Sequence, residues 1–195
     1  MRICRKMLRL LGMKRLARCV SSAWARSDLD AFQTELVDLL PRLRRLARSL
    51  TGAAADADDL VQIALERALE RRGQWRPGTR LDSWMFRIMK NAWIDEVRGR
   101  ARRGRLAGDS SEAEAVADPS APSGELRLEA QAAARALARL PEEQRLAVSL
   151  VLVEGLSYKE AADVLEIPMG TLTSRLVRGR MAIVAELSGE GRNAS

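Results

Sequence analysis

Histidine is absent from the 195 residues of this chain. That removes the commonest general base and the Ser-His and Cys-His pairs that activate nucleophiles. No catalytic residue is assigned, and the chain is expected not to be an enzyme. The two cysteines, Cys4 and Cys19, both lie in the N-terminal arm and are far apart in sequence. Without histidine or a close cysteine pair there is no ligand set for a structural zinc, so no metal and no cofactor is expected. No apolar run approaches the roughly 20 residues that span a bilayer. The arm "MRICRKMLRLLGMKRLARCV" interrupts its apolar positions with charge every two or three residues, unlike a secretory signal. The expected location is the cytoplasm. Aromatic residues make up only 4%, so the core must come from Leu, Ala, Ile and Val. With few β-branched clusters, this composition points to an all-α protein.

Charge is plentiful and unevenly placed. The net charge is +7 and the pI about 10.3, which suits a polyanionic partner. Residues 1–27 hold eight bases and no acid, and read as a basic N-terminal arm, either a disordered tail or an over-extended start with Met7 or Met13 as the true beginning. Residues 74–105 hold nine bases against three acids, whereas residues 106–124 hold four acids and no base. That last stretch, "LAGDSSEAEAVADPSAPSG", cannot bury enough apolar surface to order itself and reads as a flexible acidic linker. The organisation expected is two small helical domains, residues 28–105 and 125–190, joined by the linker over 106–124.

Helical periodicity supports both domains. Leu29, Phe32, Leu36, Leu39, Leu43, Leu46 and Leu50 recur at steps of three and four, with Pro41 expected to kink or split that helix. A second helix buries Leu60, Ala64, Leu65, Ala68 and Leu69 and is expected to stop at Gly73. After the loop "QWRPGTR", the period resumes through Leu81, Trp84, Met85, Ile88 and Ala92. In the second domain, helices are expected over Glu125–Leu140 and from Pro141 to Glu154, ending at Gly155.

The stretch "GLSYKEAADVLEIPMGTLTSRLVRGR" then reads as a helix-turn-helix. Ser157 and Glu160 have capping-box spacing, Ala161 and Ala162 leave room for a crossing helix, and Pro168 pre-sets the start of the next. Leu172 and Leu176 would be buried, leaving Thr171, Thr173, Ser174, Arg175, Arg178 and Arg180 to face outward. Short hydroxyls near a helix start can hold phosphate, and arginines along it can reach bases or backbone in a major groove. A solvated basic helix on a small bundle has the same spacing.

Residues 74–105 add a second pattern. Trp75, Trp84 and Trp93 sit among nine bases with Phe86 between them. Aromatic faces in a basic groove are what unpaired bases stack on. The other reading of this pattern makes the tryptophans core and the arginines a solvated face.

Taken in order, "DADDLVQIALERAL", "QWRPGTRLDSWMFRIMKNAWIDEVRGRARR" and "LPEEQRLAVSLVLVEGLSYKEAADVLEIPMGTLTSRLVRGRMAI" resemble the extracytoplasmic-function (ECF) sigma factors of bacterial RNA polymerase, of the sigma-70 family. The resemblance covers residues 28–187. It implies that Asp58, Asp59, Leu60, Gln62 and Glu66 dock on a coiled coil of the polymerase β′ subunit, and that the second domain meets the β flap. It implies that the loop from Gln74 to Ser83, with Trp75, Arg76 and Arg80, joins Asn91 in capturing a flipped base of the −10 element. Arg87, Lys90, Arg98 and Arg102 would hold the backbone there. Thr171, Thr173, Ser174, Arg175 and Arg178 match the helix that reads the −35 element as duplex. Two positions depart from the family pattern: Thr173, where Lys or Arg is frequent, and Ile63, where an acid is frequent. The implied partners are core polymerase, promoter DNA and an anti-sigma factor. The alternatives are a sigma-like decoy that binds an anti-sigma factor without reading DNA, and a dimeric helix-turn-helix regulator.

Overall fold

The computed structural model describes residues 26–76, 78–107 and 125–189. The N-terminal arm with its two cysteines and nearly all of the expected linker lie outside the described residues. The described chain is all helical, in the order α1 (Arg26–Thr51), α2 (Ala54–Glu70), a short 3-10 turn (Arg72–Gln74), α3 (Leu81–Ala107), α4 (Glu125–Ala138), α5 (Glu142–Val148), a π turn (Ser149–Val153), α6 (Tyr158–Leu165) and α7 (Met169–Leu187).

In α1 the leucine stripe does what its period predicts: Phe32, Leu36, Leu39, Leu43, Leu46 and Leu50 are all buried. Pro41 lies inside α1 and does not split it into two helices. Proline lacks the amide that would bond the carbonyl four residues back, and the buried leucine stripe on both sides of the exposed Pro41 offsets that loss. Helix α2 ends at Glu70, three residues before the expected Gly73 stop, and Gly73 lies inside the 3-10 turn. Helices α1, α2 and α3 pack into a three-helix bundle whose core also takes in Met85, Phe86, Met89 and Trp93.

In the second domain α5 starts one residue after Pro141, and the helix expected over 141–154 runs on without a break but widens from α5 into the π turn. Here the Glu154 amide bonds the Ser149 carbonyl at 3.0 Å, and Gly155 adopts a φ of +71 that closes the segment. Helices α6 and α7 form the helix-turn-helix. Ser157 and Glu160 make the reciprocal capping box, and Glu166 at the C-cap of α6 takes a left-handed conformation with φ +59. Ala161 and Ala162 are buried, as a close crossing requires.

Gly179 on α7 shows how close the helices come. A Cβ placed there would lie 2.8 Å from Val148 Cγ2 and 3.5 Å from Gln144 Cβ, both on α5. In an exposed helix Gly→Ala gains about 0.5–1 kcal/mol. Overpacking against a stiff, buried valine costs about 1–3 kcal/mol and should win. Gly179→Ala is therefore expected to lower the urea midpoint; a raised midpoint would mean that α5 and α7 can slide apart freely.

The two domains are not separate beads. The buried side chains form one continuous cluster from Phe32 to Leu176, with α1 against the π turn and α4, and α3 against α6. Nothing in the hydrophobic period announced this contact.

Candidate nucleic-acid interface

On α3, Arg87, Asn91, Arg98 and Arg102 are separated by steps of four, seven and four, which puts them on one helical face. All four are exposed. Arg76, in the loop before α3, is exposed as well. Trp75 is not available to a base. It is 4% exposed and its ring lies 5.3 Å from that of Phe32, which also meets Trp84 edge-on at 6.3 Å. The stacking role expected of Trp75 is thus corrected: the loop turns the indole inward, where it packs beside Phe32 in the aromatic part of the first bundle's core.

Arg80 and Asp82 form the electrostatic anchor of this loop. Arg80 donates to Asp82 at 3.1 and 2.7 Å, Arg42 of α1 donates to it at 3.0 Å, and the Ser83 amide at 2.7 Å. Burial pushes the Asp82 carboxyl up, but these donors outweigh it and hold the group at about 2, below its usual 3.8. A depressed carboxylate contributes stability that is fully present above its unfolded value and is lost as pH falls through the folded one. Asp82→Asn should therefore flatten the acid limb of the stability curve between about pH 4 and pH 2, measured by thermal melts across that range. An unchanged limb would assign acid lability to other carboxylates.

Lys90 departs from its expected exposure. It is 6% exposed, and its Nζ lies 2.8 Å from Glu166 Oε2 of the second domain. The lysine pulls the Glu166 carboxyl below its ordinary value. Arg87 reaches the same domain, donating to the Asp163 carbonyl at 3.1 Å. Arg80 also pairs with Glu160.

On α7, Leu172 and Leu176 are buried, and Thr173, Ser174 and Arg178 are exposed, with Thr171 half-buried. The hydroxyls of Thr173 and Ser174 donate back to the helix, to the Met169 carbonyl at 3.0 Å and the Thr171 carbonyl at 2.9 Å, leaving their oxygens to accept. Arg175 does not stand free: its guanidinium pairs with Glu143 of α5 at 2.7 Å and its side chain is 18% exposed. The outward orientation expected of it is corrected, because residue 175 sits at the edge of the buried Leu172–Leu176 stripe and α5 places an acid beside it.

On α2, Asp58 and Asp59 are exposed, and the Gln62 amide donates to Glu66 at 3.3 Å. Leu60 is 0% exposed, so it packs the bundle core and cannot touch a partner directly. A direct docking role for Leu60 is corrected accordingly. The residues missed by sequence reasoning are Arg42, Arg45 and Glu154. Glu154 accepts from Arg42 at 3.2 Å and from Arg45 at 2.9 and 3.0 Å, with its own side chain fully buried. Leu146, Leu150 and Glu154 recur every four residues, and this acid on an apolar stripe was the signal that could have found it.

Among the described residues no cluster of three or more His, Cys, Asp or Glu could hold a metal, and no helix is long and apolar enough to cross a membrane.

The architecture is that of an all-α protein whose second domain carries a capped helix-turn-helix. Residues 36–103 match Sigma-70 region 2, and residues 130–183 match Sigma-70 region 4. The ECF RNA polymerase sigma factor EcfG of Rhodopseudomonas palustris is 37% identical over 162 residues, covering 83% of this chain and 88% of that protein. The ECF sigma factor SigM of Mycobacterium tuberculosis is 39% identical over 149 residues, covering 76% of this chain and 72% of SigM. Among solved structures, the sigma factor RpoE of Bartonella quintana, in complex with the anti-sigma factor NepR, superposes with a TM-score of 0.73 at 32% identity, covering 81% of this chain and 97% of RpoE. CnrH in complex with the cytosolic domain of CnrY gives a TM-score of 0.59 at 26% identity, covering 83% of this chain and 90% of CnrH. The chain belongs to the ECF RNA polymerase sigma factors. Members of this family direct RNA polymerase in transcription and are initiation factors rather than enzymes.

Proposed function

We propose that this sigma factor reads a promoter at two places, −35 as duplex through α7 and −10 as melted single strand through α3 and the loop before it. The observation that carries the proposal is the pairing of two exposed polar helix faces, each backed by a buried apolar stripe. Thr173, Ser174 and Arg178 stand over Leu172 and Leu176; Arg87, Asn91, Arg98 and Arg102 stand over Met85, Met89 and Trp93. Thr171 lies beside the first set, and Arg76 and Arg80 flank the second. On α7, hydroxyls and the helix start suit phosphate, and Arg178 suits a base edge or backbone. On α3, three arginines with one amide suit an unpaired strand, in which a flipped base is held by hydrogen bonds while the arginines take its phosphates. Asp58 and Asp59, with Gln62 and Glu66 beside them, present an acidic face to the β′ coiled coil, and the second domain meets the β flap. An anti-sigma factor is the expected regulator, since the similar RpoE was solved with the anti-sigma factor NepR. Run-off transcription with core polymerase, on the promoter region upstream of its own gene, tests the proposal. A defined transcript dependent on the full chain is expected. Core binding without a transcript would favour a decoy that engages regulators only.

A further inference from the structure

The outermost line of α7 carries no charge. At 3.6 residues per turn, Gly170, Ser174, Val177 and Met181 recur at steps of four, three and four, opposite the buried Leu172, Leu176 and Gly179. All four are exposed, Val177 by 50% and Met181 by 67%. The exposed cations Arg178 and Arg180 flank this line on opposite sides rather than sit on it. Little on the line can donate a hydrogen bond. The Ser174 hydroxyl is taken up by the Thr171 carbonyl at 2.9 Å, and the neighbouring Thr173 hydroxyl by the Met169 carbonyl at 3.0 Å. Arg178 lies back along the helix, its Nε donating to the Ser174 carbonyl at 3.3 Å.

Gly170 has no internal reason to be glycine. Its φ is not positive, and a Cβ added there would meet nothing within 4 Å among the described residues. Glycine weakens a helix, yet it stands in the first turn of α7, where it lets the backbone come close to whatever lies outside. The cations on both sides make that occupant an anion rather than another apolar helix. An anion that also offers an apolar group to Val177 is duplex DNA, whose major groove sets thymine apart by its 5-methyl group.

We propose that Val177 determines sequence preference within the −35 element by packing on the 5-methyl group of one thymine, with Gly170 letting α7 sit deep enough in the groove to reach it. The inference rests on the reading of α7 as the −35 helix and adds a base-specific contact that needs no hydrogen bond. Arg178, beside Val177, then serves a neighbouring base edge or phosphate.

The test uses holoenzyme assembled from core polymerase and the full chain. Bound fragments are selected from the promoter region upstream of its own gene with the −35 region randomised. Thymines of the selected duplex are then replaced one at a time, on either strand, by uracil, which lacks only the methyl group. Expected is one −35 thymine whose replacement weakens binding about fourfold, the effect of losing one buried methyl group. Val177→Ser should weaken binding to the thymine duplex by a similar factor and bind the thymine and uracil duplexes equally. Valine and serine have similar helix propensities and residue 177 is half-exposed, so this variant should melt with the parent. A selected −35 sequence insensitive to every uracil would overturn the proposal and leave the −35 reading intact. Full uracil sensitivity in Val177→Ser would do the same. Absence of any selection at −35 would remove the −35 reading and this proposal with it. Weaker core polymerase binding by Val177→Ser without DNA would overturn it in favour of a protein-docking face.

Discussion

Replacing Arg42 and Arg45 together with alanine is expected to lower the free energy of unfolding by about 3–5 kcal/mol, the usual result of stranding a buried charge. The Glu154 side chain is fully buried, and these two arginines are the cations that reach it. Without them the carboxylate must stay ionised in the interior, take up a proton, or pull the two domains apart to reach water. Arg42 also donates to Asp82 and lies 5.1 Å from the Phe86 ring centroid, so its loss loosens the start of α3 as well. The reverse substitution is milder. In Glu154→Gln the arginines, 33% and 51% exposed, can turn to solvent, and the expected cost is about 1–2 kcal/mol. Guanidinium unfolding of both variants gives the comparison. Equal losses would show that Glu154 finds water without its arginines.

Leu60→Ala should cost about 2–5 kcal/mol of stability, the range for emptying a closed leucine site. Leu60 is 0% exposed between neighbours of α1 and α3, whereas the adjacent Asp59 faces solvent. The two residues therefore separate folding from docking. Asp59→Ala should leave the melting temperature almost unchanged and weaken core polymerase binding. Leu60→Ala should lower the melting temperature by several degrees, and its binding should recover at temperatures where the chain remains folded. Weak binding by fully folded Leu60→Ala would return this residue to the docking surface.

Most of the fold could be read from spacing alone. The stripe from Phe32 to Leu50, the Ser157–Glu160 box and the Leu172–Leu176 pair each report a local requirement, and each appears where its period places it. The misreadings share one cause: an exposure assumed from residue type was decided by a partner distant in sequence. Trp75 looks like a stacking platform until Phe32 comes within 5.3 Å. Arg175 looks outward-facing until α5 brings Glu143 alongside, and Lys90 looks solvated until Glu166 arrives from 76 residues away. Pro41 failed as a helix breaker for a related reason, since the packing of α1 on both sides of it outweighs one missing amide bond. Long-range pairing of charge leaves no period in a sequence, so the junction between the domains was not legible there.

Glu166 is the one non-glycine residue with positive φ among the described residues. An L-residue held left-handed costs roughly 1–2 kcal/mol, which glycine would avoid. A chain selected only for a durable helix-turn-helix would gain by placing glycine at this position. Keeping glutamate there means that the second domain carries a local handicap whose benefit falls on the first, through the side chain of Lys90. Stability of the part and cohesion of the whole pull in opposite directions at this single position. A glycine at position 166 would therefore give a sturdier domain and a looser protein.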